Sequence, residues 1–372
     1  MSARRAFLPE SVLLVVAGLV IGRLMPSARS LISADLVLLV LVPGLVFDAA
    51  FDLDWRVVRR MVPALAGLAI AGVLLSAATV AVLLNTVVGI PIALAFVVGA
   101  ITSATDPIAV VATLERLKMP HRLRTLVEGE SLLNDGTGLV LVAIAVIAAT
   151  TGVTAADAAA RFVIVIALSV AIGYAVGRVG ARVLPSIRPW PITVVASIVY
   201  VYVTYAAAAA IGLSGVLVTV VGAMTTGHIL REHPADVPLA AQIDDVWAKI
   251  AFALSAVAFL AIGVVIDLGS LSTEVRAIAV GVLAVLLARA LFVYVPYVFL
   301  RGHAPIGWAH VVFWSGLRGA IAFAATLALP ADLPERQILQ NVCFGIVLVT
   351  LVVQGVSAPA VVRSALGRDA RS

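Results

Sequence analysis

Charge is what this sequence has least of. Of its 372 residues 12% are Asp, Glu, Lys or Arg, while 63% are hydrophobic; soluble domains carry about 25% charged residues. Too little polar surface exists to coat a globule of this size in water, which excludes a soluble protein and places most of the chain in lipid. Cysteine is nearly absent as well. Cys343, in an apolar run, is the single one, which excludes an intramolecular disulfide and suits a small buried side chain. The five histidines (His121, His228, His233, His303 and His310) show no metal-ligand spacing and belong in or beside loops. No hydrophilic stretch is long enough for a soluble domain, and none is of low complexity. Residues 8–25 are not followed by a clean small-residue cleavage site, so this first apolar segment is expected to act as its own insertion signal. The net charge of +5 then reads as basic cytoplasmic loops rather than a nucleic-acid surface.

What is present is a series of apolar runs. A membrane span takes about 20 such residues, and about twelve segments qualify: 8–25, 34–51, 62–84, 92–115, 126–150, 158–177, 191–211, 214–230, 247–267, 277–300, 307–329 and 338–360. Basic residues fall on alternate sides of them. Arg4 and Arg5 precede the first span; Arg56, Arg59 and Arg60 follow the second; Arg116, Lys118, Arg122 and Arg124 follow the fourth. Arg178, Arg182 and Arg188, then Arg231, Arg301 and finally Arg363, Arg368 and Arg371 continue the alternation. Both termini are therefore expected in the cytoplasm.

Ionisable groups interrupt these spans at a cost of roughly 3 kcal/mol each, so each needs a partner, a water-filled cavity or a function. They are Asp48 in LVFDAAF, Asp106 in ITSATDPIAV, Glu130 and Asp135 in EGESLLNDGTG, Arg289 in VLLARALF and Arg318 in FWSGLRGAIAF. Pro107 has no N–H and clashes with the carbonyl four residues back, near Ser103. Backbone oxygens freed beside a carboxylate make hard ligands suited to a hard cation. Ser131, Asn134 and Asp135 stand at i, i+3 and i+4 and share a helix face, with Glu130 turned away from it. Asp106 and Asp135 are expected to meet near the midplane. In the eleventh span Gly316 and Gly319 flank Arg318, whose permanent charge needs a carboxylate; Glu130 is the preferred partner. One interrupted helix in each half of the chain is the pattern of inverted-repeat transporters.

At these residues the chain resembles the monovalent cation:proton antiporters of the NhaP, or sodium–proton exchanger, type. LVFDAAFDLD, GAITSATDPIAVVATLERL, RLRTLVEGESLLNDGTGLVL and GLRGAIAFAATLALP carry the resemblance, in the family's order. It implies an all-α polytopic membrane protein of about twelve helices in the NhaA-like fold, with inverted repeats and two interrupted crossing helices. Residues 62–150 and 277–360 are expected to form the transport core, and 8–51 and 158–267 the interface part of one domain spanning 1–372. By resemblance Asp135 alternately holds the cation and a proton; Asp106 stands beside it, Thr105 offers its carbonyl, Ser131 its hydroxyl, and Asp48 lines the ion path. Asn134 stabilises the site, while Glu130 and Arg318 match a buried ion pair; Arg289 also matches a family arginine, with no partner evident.

The resemblance implies a transporter of the plasma or inner membrane, not an enzyme, in the form of a homodimer and without a cofactor. Its transported ions are H⁺ and Na⁺ or Li⁺, with K⁺ as the alternative and an uncoupled cation channel as a weaker one. Asn134 cannot titrate, so exchange is expected to be one for one and electroneutral. An intramembrane aspartyl protease also needs two aspartates on neighbouring spans, but its Gly-x-Gly-Asp motif does not occur here.

Overall fold

A computed structural model describes residues 9–107, 110–111, 114, 120–299 and 305–369. Arg4, Arg5, Arg116, Lys118, Arg301, His303 and Arg371 lie outside them. Every regular element among the described residues is a helix, as lipid requires of a chain that satisfies its backbone within each segment. In order these are α1 (Glu10–Leu24), α2 (Leu36–Phe51), α3 (Trp55–Val88), α4 (Ile92–Ile101), α5 (His121–Thr151), α6 (Ala155–Val183) and α7 (Trp190–Ala210). They continue with α8 (Gly215–Glu232), α9 (Val237–Val265), α10 (Val275–Phe299), α11 (Ile306–Trp314), α12 (Ala320–Leu327) and α13 (Arg336–Asp369). By length and composition seven of the described helices can cross a membrane, and the shorter ones occupy the remaining expected segments.

Several helices outrun the apolar segments that announce them. α3 begins at Trp55 rather than near 62 because Asp54 caps it, accepting from the Arg56 N–H at 2.8 Å. Thr154 caps α6 in the same way, accepting from the Asp157 N–H at 3.2 Å. α3 has 34 residues, or about 51 Å, well beyond a hydrocarbon core of about 30 Å. Its first turns carry Arg56, Arg59 and Arg60 at the membrane edge, and π-helical turns at Leu68–Gly72 and Leu84–Val88 interrupt its α geometry.

The packing is built on small residues. α1 lies along α9, and a Cβ on Gly18 would stand 2.9 Å from Gly263 Cα. α8 packs on α6 and α2, while α5, α4, α3 and α10 form successive neighbours, and α13 covers α11 and α12. Between α9 and α10, Asp267 caps the turn Leu268–Ser272. The Gly269 N–H, then the Ser270 hydroxyl and nearby Arg29, hold its carboxyl below the ordinary range.

Two spans are broken at mid-length. After α4 the chain leaves helical geometry through residues 102–106 and resumes after Pro107, whose carbonyl accepts from the Val110 and Val111 N–H groups at 2.8 Å each. α11 and α12 are separated by the non-helical residues 316–319. The two breaks touch through their backbones: the Asp106 N–H donates to Leu317 O at 2.7 Å.

Candidate functional site

The first break is held open by one face of α5. The Thr105 N–H donates to Asn134 Oδ1 at 3.2 Å, Asn134 Nδ2 donates to Thr105 Oγ1 at 2.7 Å, and the Ser131 hydroxyl donates to Thr105 O at 2.5 Å. Asn134 thus supplies what the missing helical turn no longer provides. It is placed to do so by standing three residues after Ser131. A carbonyl and a hydroxyl each keep a lone pair after such a bond, so Thr105 O and Ser131 Oγ remain able to ligate a cation.

Unwinding leaves carbonyls at the end of α4, and Arg318 takes them. Its Nη1 donates to Ser103 O at 2.6 Å and to Ala104 O at 3.0 Å, with the side chain 2% exposed. Ser103 is the residue whose carbonyl Pro107 frees. Across the crossing, the Asp106 carboxylate lies against Gly319, where a Cβ would overlap it. That sets a negative charge at the N-terminus of α12, the positive end of its dipole.

The partner of Glu130 corrects the expectation from sequence. Glu130 forms a bidentate pair with Arg289, whose Nη2 donates to Oε2 at 2.8 Å and whose Nη1 donates to Oε1. Arg318 is occupied by the carbonyls of Ser103 and Ala104 and makes no such pair with Glu130. Arg289 also donates to Val312 O, from Nε at 3.2 Å and from Nη2 at 2.7 Å, and so caps the C-terminal end of α11. Nor is Glu130 turned away from the polar face, since Asn134 Nδ2 donates to its Oε1 at 3.3 Å, one turn along. A signal for Arg289 was available. Two half-helices that end inside a membrane expose two sets of carbonyls, and the chain carries two mid-span arginines.

Asp135, Asp106, Thr105 and Ser131 open together onto a cavity of about 710 Å³, and Asp48 lines the same cavity. Asp52, Asp244, Arg124 and Glu128 stand around the same cavity. Arg231 lies 3.6 Å from both Asp52 and Asp244, and Arg124 3.7 Å from Asp52. Asp245 pairs separately with Lys249 at 2.5 Å. Of the described histidines, His228 meets Glu232 at 3.4 Å and His310 meets Tyr294 at 2.8 Å, away from the aspartates. Among the described residues no group of three or more His, Cys, Asp and Glu could hold a metal ion. The available donor set is two carboxylates with neutral oxygens, which suits a weakly held hard cation.

The family described as "Sodium/hydrogen exchanger, transmembrane" matches residues 1–364. The chain is 31% identical over 366 residues to the low-affinity Na⁺/H⁺ antiporter NhaS1 of Synechocystis, covering 96% of this chain and 69% of that protein. It is 30% identical to the Na⁺/H⁺ antiporter NhaG of Bacillus atrophaeus, covering 95% and 70% respectively. The structure of the sodium proton antiporter MjNhaP1 from Methanocaldococcus jannaschii at pH 8 superposes with a TM-score of 0.75 over 96% of this chain and 92% of that one. At 17% sequence identity that likeness speaks to the fold.

Proposed function

We propose, since the chain belongs to the sodium/hydrogen exchanger family, that it is a secondary active antiporter exchanging H⁺ for Na⁺ or Li⁺ at one carboxylate, that of Asp135. The observation that carries this reading is the shared opening of Asp135, Asp106, Thr105 and Ser131 onto one cavity beside a broken span. A cation or a proton neutralises the carboxylate, and each excludes the other. Exclusive occupancy of a site that faces the two sides in turn is exchange. Asp106 contributes a second oxygen ligand, Thr105 and Ser131 neutral ones, and Asp48 draws the cation inward. Asn134, Glu130, Arg289, Arg318 and Pro107 shape the site without binding the ion.

Both amide protons and the carbonyl of Asn134 are engaged with Thr105 and Glu130, and an amide does not titrate. One proton per cation follows, and with it indifference to membrane voltage. We assign residues 62–150 and 277–360 to a moving core, and 8–51 and 158–267 to a scaffold through which two copies associate. The packing of α1 on α9 and of α8 on α2 and α6 supports that division. The basic loops support cytoplasmic termini and a position in the cell membrane.

Proteoliposomes loaded with a pH-sensitive dye test the reading by addition of Na⁺, Li⁺ and K⁺ in turn. Na⁺ or Li⁺ is expected to drive proton movement, Asp135→Asn to reduce it to background, and an imposed potential to leave its rate unchanged. A response to K⁺ alone selects K⁺/H⁺ exchange. Normal exchange by Asp135→Asn overturns the site, and acceleration by voltage overturns the stoichiometry.

A further inference from the structure

Behind the first break, on the side of α5 away from the ion cavity, a second space of about 20 Å³ has as its polar lining Ser76, Ser103, Glu130, Asn134, Arg289 and Arg318, with apolar walls from α3 and α10. Two of its polar atoms, Ser76 Oγ and Arg318 Nε, are buried without a hydrogen-bond partner. Native interiors rarely leave such groups unmet. Both side chains are more than nine-tenths buried, Ser76 at 8% exposure and Arg318 at 2%.

α3 supplies one wall of this space through Leu68, Gly72, Val73 and Ser76. Its π-helical turn at Leu68–Gly72 stands one turn before Ser76, and Thr137 of α5 fastens that turn by donating to Ala69 O at 2.7 Å. π-Bulges recur at functional positions in helices. This one borders a polar recess beside two arginines and a glutamate.

We propose that this recess binds one ordered water molecule, which bridges Arg318 to Glu130 and makes Ser76 a positioning residue of the crossing. Size and chemistry select water. About 10–15 Å³ of such space admits one molecule, which leaves no room for a hydrated ion, and two guanidinium groups exclude a bare cation. The hydrogen-bond inventory closes around water. Arg318 Nε–H needs an acceptor. Glu130 Oε2 takes a single bond, from Arg289 Nη2, and retains a lone pair. Ser76 Oγ can give or take. A water accepting from Arg318 Nε, donating to Glu130 Oε2 and sharing a bond with Ser76 Oγ satisfies all three, and such bridges are nearly as good as direct bonds. Glu130 and Arg318 are then linked through water, and one network ties the caps of α4 and α11 together. The charged groups around Arg318 are Glu130 and Asp135 of α5, Arg289 of α10 and, at the crossing, Asp106.

The test is a cryo-electron microscopy map of the full chain in nanodiscs, at a resolution that shows ordered water at other buried polar groups. Density within hydrogen-bonding distance of both Arg318 Nε and Ser76 Oγ is expected. Its absence in such a map overturns the proposal. Ser76→Ala is expected to keep the density, whereas Ser76→Val, which fills the recess with a methyl group, is expected to lose it. In proteoliposomes Ser76→Val should shift the half-maximal pH of exchange by about half a unit or more. A folded Ser76→Val protein with the wild-type pH profile overturns the positioning role. The transport readout rests on the antiport reading above, but the density does not. An active Asp135→Asn protein with the water in place would sink that reading and leave this one standing.

Discussion

The two broken spans solve one problem with opposite means. At the first, Pro107 makes the break unavoidable by withdrawing an N–H and displacing the carbonyl of Ser103; at the second, Gly316 and Gly319 permit it. The first carries an acid and no base, the second a base and no acid. Each therefore supplies the charge the other lacks: Arg318 neutralises the carbonyl end of α4, and Asp106 faces the amide end of α12. The carbonyl end of α11 has no base to call on from the first break, and Arg289 comes in from α10. The clamps differ in the same sense. Each is borne by the span that follows its broken one. Asn134 holds Thr105 with two bonds, whereas Thr350 of α13 holds the Arg318 N–H with one of 3.4 Å. Both breaks reach the large cavity, the second through Gly319, and the first is the one fixed more firmly, by a group that cannot titrate.

The sharpest way to break this comparison is to remove the imported cation. Arg289→Leu strands the Glu130 carboxylate, which is 2% exposed, and uncaps α11. Breaking a buried pair by deleting one partner costs about 3–5 kcal/mol, so a large drop in thermal stability in detergent is expected, with little folded protein recovered. Glu130→Gln added to Arg289→Leu should restore part of it, because the unpaired charge is gone. Equal stability of Arg289→Leu and the unaltered chain would show that the carbonyl end of α11 needs no cap, and the symmetry between the breaks would be lost.

A smaller effect is expected where the breaks touch. Gly319→Ala drives a methyl group into the Asp106 carboxylate, its Cβ overlapping Oδ2, while Gly316→Ala sets its Cβ 3.1 Å from Arg289 Nε, a tight contact that a shift of a few tenths of an ångström relieves. Overpacking of this kind costs about 1–3 kcal/mol. Gly319→Ala should fold yet slow exchange in proteoliposomes by about tenfold or more, with Gly316→Ala closer to the unaltered rate. Equal rates for the two would mean that the seat of Asp106 against α12 is not required.

Much of this was legible in the amino-acid sequence, and the gaps have one cause. Hydropathy gives the depth of a residue in the membrane and says nothing about which neighbour it faces. Depth sufficed for the spans, for Pro107 as a breaking point and for Ser131 with Asn134, whose spacing alone puts them on one face of α5. It could not decide between Arg289 and Arg318 as the partner of Glu130, since all three sit mid-span and the azimuth of α10 depends on packing against α3 and α13. The extra turns of α3 and α6 escaped for the opposite reason. Caps at Asp54 and Thr154 extend helices into water, where an apolar count does not look. The recess at Ser76 lies beside a π-turn in α3, and nothing in LAIAG distinguishes that turn from ordinary helix.

The smallest expected effect lies at the weaker clamp. Thr350→Val keeps the shape of the side chain but removes the acceptor for the Arg318 N–H. A typical buried hydrogen bond contributes about 0.5–1.5 kcal/mol net, and a long one belongs at the low end. A melting shift of a few degrees with nearly unchanged exchange is therefore expected, measured beside Arg289→Leu in the same detergent. The reason is local: the Arg318 side chain is anchored at Ser103 and Ala104 independently of its own N–H, so the second break keeps its charge in place when its backbone clamp is cut. Loss of exchange in a stable Thr350→Val protein would reverse the ranking of the two clamps. It would mean that the backbone of the second break, as much as the amide of Asn134 at the first, sets the geometry of the proposed ion site.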